Sequence, residues 1–236
     1  MTPASRYPFG PRGAARYLQA VHSLVAQYGG DCWPLDDAPG SAVARSLTGA
    51  YPGAVSATGV TFGQQGPLCA GQYAGAAGFA AGNISVGGVL LDPSTAFSFC
   101  SWVNCTAPAG ATEQVVFASA ASSAKRFTLS IASGNLRAAY NNGSTTYAKS
   151  GAISTGWNFV ALSKDAGNAA PTLWINGVAQ AGTTAPTFAN TVDTVLSQRT
   201  DKTQGLTGSQ FAPAIFKAAI IAEVANTLRL TATQGD

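Results

Sequence analysis

Two glutamates, Glu113 and Glu223, a single histidine, His22, and four cysteines, Cys32, Cys69, Cys100 and Cys105, are the main candidates in this chain for acid–base or nucleophilic chemistry. Retaining glycoside hydrolysis needs an acid/base and a nucleophilic carboxyl about 5 Å apart. Glu113 and Glu223 lie on separate elements, neither has a second acidic residue within four positions, and the chain has no E-x-D-x-x-E run. A Ser/His/Asp or Cys/His arrangement would require His22 as its base. That residue falls in an N-terminal amphipathic segment, where a solvated or packed imidazole is the simpler expectation. The glycine-rich stretch from Gly71 to Gly82 lacks the Lys-Ser/Thr and the strand-to-helix context of a phosphate-binding loop. The residues therefore point away from catalysis.

Metal and redox chemistry are also weakly supported. The cysteine spacings do not match paired zinc ligands. If Phe97 to Cys105 is one strand, Cys100 and Cys105 are five positions and roughly 17 Å apart on opposite faces, beyond disulfide reach. Thiols acting as small buried hydrophobes are the expected state. Oxygen ligands for a calcium ion exist at Asp36, Asp37, Asp92, Asp165, Asp193 and Asp201, but they form no dense cluster. We therefore expect solvated loop aspartates and no resident cofactor. Tyr51, Tyr73, Tyr140 and Tyr147 lie near turns with Asn and Thr nearby, a composition that suits stacking on sugar rings. Tyrosines at strand ends also cap cores, and the sequence alone leaves both roles open.

The elements that must position these residues are mostly strands. Of 236 residues only 10% are charged while 46% are hydrophobic, so the surface must be largely Ser, Thr, Asn, Gln, Gly and Ala. A net charge of +3, carried by scattered Lys and Arg, argues against a nucleic-acid partner. No apolar stretch is long enough for a membrane span, and the N-terminus does not resemble a signal peptide. A cytosolic site of synthesis is expected, and with it chance status for the Asn-X-Ser/Thr matches at Asn83, Asn104 and Asn142. Arg6, Arg12 and Arg16 with Pro3, Pro8 and Pro11 form a basic arm. Ala14, Leu18, Val21, Val25 and Tyr28 then repeat at helical spacing up to the stop signal Gly29-Gly30.

Beyond residue 30 the chain alternates strand-like runs and short turns. Candidate strands include Cys32 to Asp36, Ala77 to Ala80, Ala96 to Cys105, Gln114 to Ala120, Arg126 to Ala132, Asn135 to Asn141, Thr145 to Lys149, Trp157 to Lys164, Thr172 to Asn176, Thr191 to Ser197 and Ala214 to Ala225. Asn176-Gly177 predicts a tight reversal, and Asp37 to Ala76 reads as a long excursion between sheets. This gives an all-β, two-sheet antiparallel sandwich over residues 31–236, preceded by the arm and helix of residues 1–30.

Five modest motifs in order resemble a known family. Cys32-Trp33-Pro34-Leu35-Asp36-Asp37-Ala38-Pro39-Gly40, Phe97-Ser98-Phe99-Cys100-Ser101-Trp102-Val103, the hairpin from Phe127 to Leu136, and Gly156-Trp157-Asn158-Phe159-Val160-Ala161-Leu162 followed by Leu173-Trp174-Ile175-Asn176-Gly177 are similar to segments of concanavalin A-like, laminin-G/pentraxin-type jelly rolls. Ile220 to Ala225 resembles the last strand of that family. Tyr17 to Val21, the Trp33 segment and Val60 to Leu68 further resemble the start of such domains in minor tail and other structural proteins of tailed actinobacteriophages. The resemblance implies a non-enzymatic virion subunit, a minor tail or capsid decoration protein assembled in the host cytoplasm. Its arm and helix, through Arg6, Arg12, Arg16, Leu18 and Val21, would dock onto other virion proteins. Its jelly roll would present Tyr51, Tyr73, Tyr140 and Tyr147 to host surface glycans, and symmetric homo-oligomers fit such a design. The alternative is a free bacterial carbohydrate-binding module or lectin.

Overall fold

A computed structural model describes residues 12–67, 75–87, 95–122, 125–142, 145–166, 171–180, 193–198, 204–220 and 222–233. The chain opens with helix α1 (Arg12–Tyr28) and then builds two antiparallel sheets. Sheet A contains β1 (Gly30–Cys32), β4 (Val60–Gln64), β5 (Ala76–Ala80), β7 (Phe97–Cys105), β12 (Gly156–Lys164), β13 (Thr172–Ile175), β14 (Val178–Gln180) and β16 (Thr207–Phe216). Its order is β14-β13-β12-β7-β16-β5-β4, with β1 also on β16. Sheet B contains β2 (Val43–Ala44), β3 (Gly53–Val55), β6 (Ile84–Val86), β8 (Gln114–Ser122), β9 (Lys125–Ala132), β10 (Asn135–Asn142), β11 (Thr145–Ala152) and β15 (Asp193–Leu196). They run β11-β10-β9-β8-β15-β6-β3-β2. Helix α2 (Ala222–Thr233) follows the last strand.

Two apolar layers hold this together, and sheet A belongs to both. Phe97, Phe99, Val103 and Cys105 of β7 face sheet B and pack with Phe117, Phe127, Leu129, Val160, Leu162, Leu173 and Ile215. The alternate residues Cys100 and Trp102 face the other way. They meet Ala14, Tyr17, Leu18, Val21 and Val25 of α1, Ala225 and Leu228 of α2, and Phe159, Trp174, Phe211 and Phe216 of the sheet. A strand covered on both faces is buried at nearly every position, and β7 is buried throughout except at Asn104, its Ser98 and Ser101 hydroxyls being hydrogen-bonded inside the protein. Cys100 and Cys105 thus lie on opposite faces, as their spacing implies. Cys32 and Cys100 share the helix side, but both flank Ala214 in the strand register. Two interstrand steps, roughly 9.6 Å, separate them, which is too far for a disulfide. Cys32, Cys100 and Cys105 are buried free thiols, and Cys69 lies outside the described residues.

The Asn176-Gly177 reversal forms as expected. Both residues have positive φ, 52° and 85°, and Ile175 pairs with Val178 across the turn. Asn176 also ties the turn to the neighbouring strand, its Oδ1 accepting from Phe159 N at 2.9 Å and its Nδ2 donating to Asn158 Oδ1 at 3.0 Å. Gly29, at φ 73°, ends α1 where its amide donates to Val25 O at 2.9 Å.

Three expectations about elements need correction. The segment expected as a strand from Cys32 to Asp36 pairs only over Gly30–Cys32, after which Leu35 takes φ 63° and turns the chain. The excursion from Asp37 to Ala76 carries three short strands, β2, β3 and β4. The strand expected over Ala214 to Ala225 ends at Phe216, and Ala222–Thr233 is helical. Ala225 and Leu228, three apart, place one face of α2 on the layer beneath α1, so the resemblance of Ile220 to Ala225 to a last strand does not hold. Among the described residues no helix is long and apolar enough to cross a membrane.

Candidate functional site

The helices cover only part of the outer face of sheet A. Along that face the strand register lays out successive rows. Ala161, Cys100, Ala214 and Cys32 form one row under α1, and Phe159, Trp102 and Phe211 form the next, all buried. One further step along the strands brings the row Trp157, Asn104, Ser209, Gly78 and Thr61, in register from β12 to β4. Here burial ends. Trp157, Asn104, Ser209 and Gly78 are partly exposed and Thr61 is exposed. Trp157 rests one side on the helix-covered layer and leaves the rest open.

The β16–β5–β4 part of this row is a shallow groove of about 340 Å³, lined by Thr61, Gln64, Gly78, Ala80, Thr106 and Ser209 among others. Its floor is backbone. A Cβ on Gly208 would fall 2.1 Å from Asn104 O, so β7 and β16 approach as closely here as only glycine permits. A Cβ on Gly78 would meet the movable Gln64 side chain at 3.1 Å and the Thr61 carbonyl oxygen at an ordinary 3.7 Å. The side chains of Thr61, Gln64, Asn104 and Ser209 form no hydrogen bond to another described residue. Elsewhere the fold engages its polar groups closely. Asn158, Gln210, Ser98 and Ser197 are all bonded inside the protein at 2.7–3.1 Å. The strip is therefore a row of free neutral donors and acceptors with an indole at one end.

The residues singled out from sequence fall elsewhere. Leu18 and Val21, expected to dock a partner subunit, are 1% and 0% exposed because they form the chain's own layer under sheet A; that docking role is corrected. Arg16 is exposed. Arg6 and the side chain of Arg12 lie outside the described residues. Tyr51 is half-buried at the far end of sheet B from the hairpin of β10 and β11. Its carbonyl accepts from Trp33 Nε1 at 2.8 Å, and Lys217 Nζ stands 5.8 Å from its ring centre. Tyr140 and Tyr147 occupy β10 and β11 at registers opposite Phe127 and Ala139, with side chains outside the described residues, as is Tyr73. Tyr51, Tyr140 and Tyr147 belong to the sheet B side, away from the strip.

Several of the remaining titratable groups hold local structure. Glu113 accepts from Ser130 Oγ at 2.6 Å, and Glu223 lies in the first turn of α2. Asp36 and Asp37 share the Arg45 guanidinium, at 3.5 and 2.7 Å, and Asp31 accepts from Thr48 Oγ1 at 2.6 Å. Burial raises the Asp36 carboxyl above its ordinary value, with Arg45 opposing the shift. Asp92 and Asp201 lie outside the described residues, and among those described no three His, Cys, Asp or Glu side chains gather into a metal-binding group. Burial pushes the Cys100 and Cys105 thiols up to about 12 and raises Cys32 and the Tyr17 hydroxyl well above their usual ranges. None is a poised nucleophile.

Comparison with known proteins follows the geometry. Residues 77–222 match the family model of the concanavalin A-like lectin/glucanases superfamily. No curated protein sequence matches the chain. Among solved structures the chain is similar to domain 4 of AbnA, a GH43 extracellular arabinanase from Geobacillus stearothermophilus, in complex with arabinotriose. That match has a TM-score of 0.66 and 19% identity, covering 84% of this chain and 97% of that domain. It also resembles the botulinum neurotoxin serotype C1 binding domain, at TM-score 0.62 and 14% identity over 89% of this chain and 53% of the other. A Trypanosoma rangeli sialidase matches at TM-score 0.63 and 11% identity, over 92% of this chain and 38% of the enzyme. At these identities the likeness is one of fold.

Proposed function

This chain belongs to the concanavalin A-like lectin/glucanase superfamily, and from that premise we propose that it is a saccharide-binding jelly roll without catalytic activity, whose ligand lies on the strip from Trp157 to Thr61. The observation that carries this reading is the set of free neutral side chains, Thr61, Gln64, Asn104 and Ser209, aligned beside a half-exposed tryptophan. Sugar hydroxyls both donate and accept, as these side chains do, and a sugar ring presents an apolar face to an indole. No carboxylate lines the groove, so the acid/base pair that glycoside hydrolysis needs is missing from the place where a glycan would lie. Trp157→Ala is expected to lower saccharide affinity at least tenfold in titration calorimetry. A glycan array with no hits for the intact chain would remove the reading.

In its finer form the proposal places this jelly roll on a tailed-phage particle, as a minor tail or decoration subunit in contact with other virion proteins. Support comes from the sequence resemblance over Tyr17 to Val21, the Trp33 segment and Val60 to Leu68. With Leu18 and Val21 inside the fold, attachment falls to the residues before α1 and to Arg12 and Arg16. Deleting residues 1–11 is expected to abolish sedimentation with particles while the saccharide affinity of the chain stays unchanged. Normal incorporation of the shortened chain would exclude the arm as an anchor and favour the free lectin.

A further inference from the structure

Resting on the saccharide-binding reading, we propose that the strip selects an uncharged, unbranched oligosaccharide that lies across the strands, with one ring on Trp157 and the chain running over Asn104, Ser209 and Gly78 towards Thr61 and Gln64. Charge argues first. Every residue of the strip and of the groove lining is neutral. A sugar carboxylate or phosphate placed there would lose water without gaining a cationic partner, and burial of an unpaired charge is strongly unfavourable. Neutral hydroxyls lose far less and find partners in each of the four free side chains.

Shape gives the rest. The row crosses five strands from β12 to β4, and four interstrand steps amount to roughly 19 Å. One ring cannot reach from the indole to Thr61; a chain of a few linked rings can. Between Ser209 and Thr61 the row carries no side chain of its own at Gly78, beside which the Gln64 side chain lies. The groove is shallow and open to solvent, so it suits the body of a linear chain better than a single terminal residue held in a pocket.

Calorimetry on the intact chain, with arabino-, xylo- and gluco-oligosaccharides of one to six rings against sialyllactose and oligogalacturonates, tests this. For at least one neutral series, affinity is expected to rise tenfold or more from one ring to four and then level off. Charged glycans are expected to bind at least tenfold more weakly than neutral ones of equal length. Gly78→Val fills the floor chiefly by displacing the Gln64 side chain, so it should lower affinity tenfold with little change in the thermal midpoint. Asn104→Ala should act in the same direction. Binding of a monosaccharide as tightly as its oligomer, or of charged glycans as tightly as neutral ones, would overturn the selectivity while leaving the carbohydrate reading intact. Unchanged binding by both variants would place the ligand elsewhere and overturn the inference. No binding by any saccharide would remove the reading and the inference together.

Discussion

Removing residues 1–28 is expected to leave a chain that no longer folds to a soluble monomer. Tyr17, Leu18, Val21 and Val25 are each at most 4% exposed, buried against sheet A. At roughly 1.5–3 kcal/mol for each large apolar side chain taken fully out of water, these four contribute about 6–12 kcal/mol. That is comparable to the whole net stability of a typical domain, about 5–15 kcal/mol. The deletion would also bare Trp102, Phe159, Phe211 and Phe216, an apolar face large enough to drive aggregation. Size-exclusion chromatography and circular dichroism decide the matter, and a soluble monomer with a native melting transition would show that α1 is dispensable. Leu18→Ala, at about 2–5 kcal/mol, provides a milder version readable by urea denaturation. Any test of attachment must therefore stop short of the helix, since a chain cut at residue 30 loses its fold along with its arm.

The second large effect is alkaline unfolding. The ordinary thiol value is 9.0, while Cys100 and Cys105 are pushed to about 12 by burial and Cys32 is raised in the same direction. Above pH 9 the unfolded chain releases these protons and the native chain retains them, so the native state binds more protons and stability falls as pH rises. Below pH 9 both states are protonated and these groups have no effect. Each retained proton costs about 1.4 kcal/mol per pH unit, so Cys100 and Cys105 give a slope of about 3 kcal/mol per unit from pH 9 to 12, and Cys32 acts in the same direction. Tyr17 adds to it above pH 10, its hydroxyl raised by burial and standing 3.7 Å from Cys100 Sγ. Urea midpoints measured from pH 8 to 11 should fall steeply beyond 9, and Cys100→Ala should flatten the slope by about 1.4 kcal/mol per pH unit. A level profile would contradict the assigned burial of the thiols.

What was legible in the sequence follows from how local each signal is. The helix from Arg12 showed itself through its apolar spacing and its glycine stop, and the Asn176-Gly177 turn through residues that tolerate positive φ. β7 and β12 announced themselves as apolar runs because both of their faces are covered. The helical turn after Phe216 was masked by Ile220 and Ile221, an apolar pair that fits a strand equally well. The strip was invisible for a different reason. On β7 the outward series goes Cys100, Trp102, Asn104; on β12 it goes Ala161, Phe159, Trp157; on β16 it goes Phe211, Ser209. Each shows only a polar or less buried residue near a strand end, an ordinary sight. They fall into one row only when the register aligns them, and register is set by long-range pairing that no single segment records. Trp157 drew notice only as part of a strand motif, and Tyr51, Tyr140 and Tyr147, near turns, lie apart from that row.

Asn104 stands beside Trp157 in the strip and begins the triplet Asn104-Cys105-Thr106, which satisfies the acceptor pattern for N-linked glycosylation. In a bacterial host this is without effect. Produced through a eukaryotic secretory route, the same chain would offer this acceptor to the glycosylation machinery, and a sugar tree attached there would cover the face proposed to receive a free saccharide. The choice of expression host is therefore itself a variable in any binding assay, and comparison with the same chain made in a bacterial host separates a blocked strip from an inactive one.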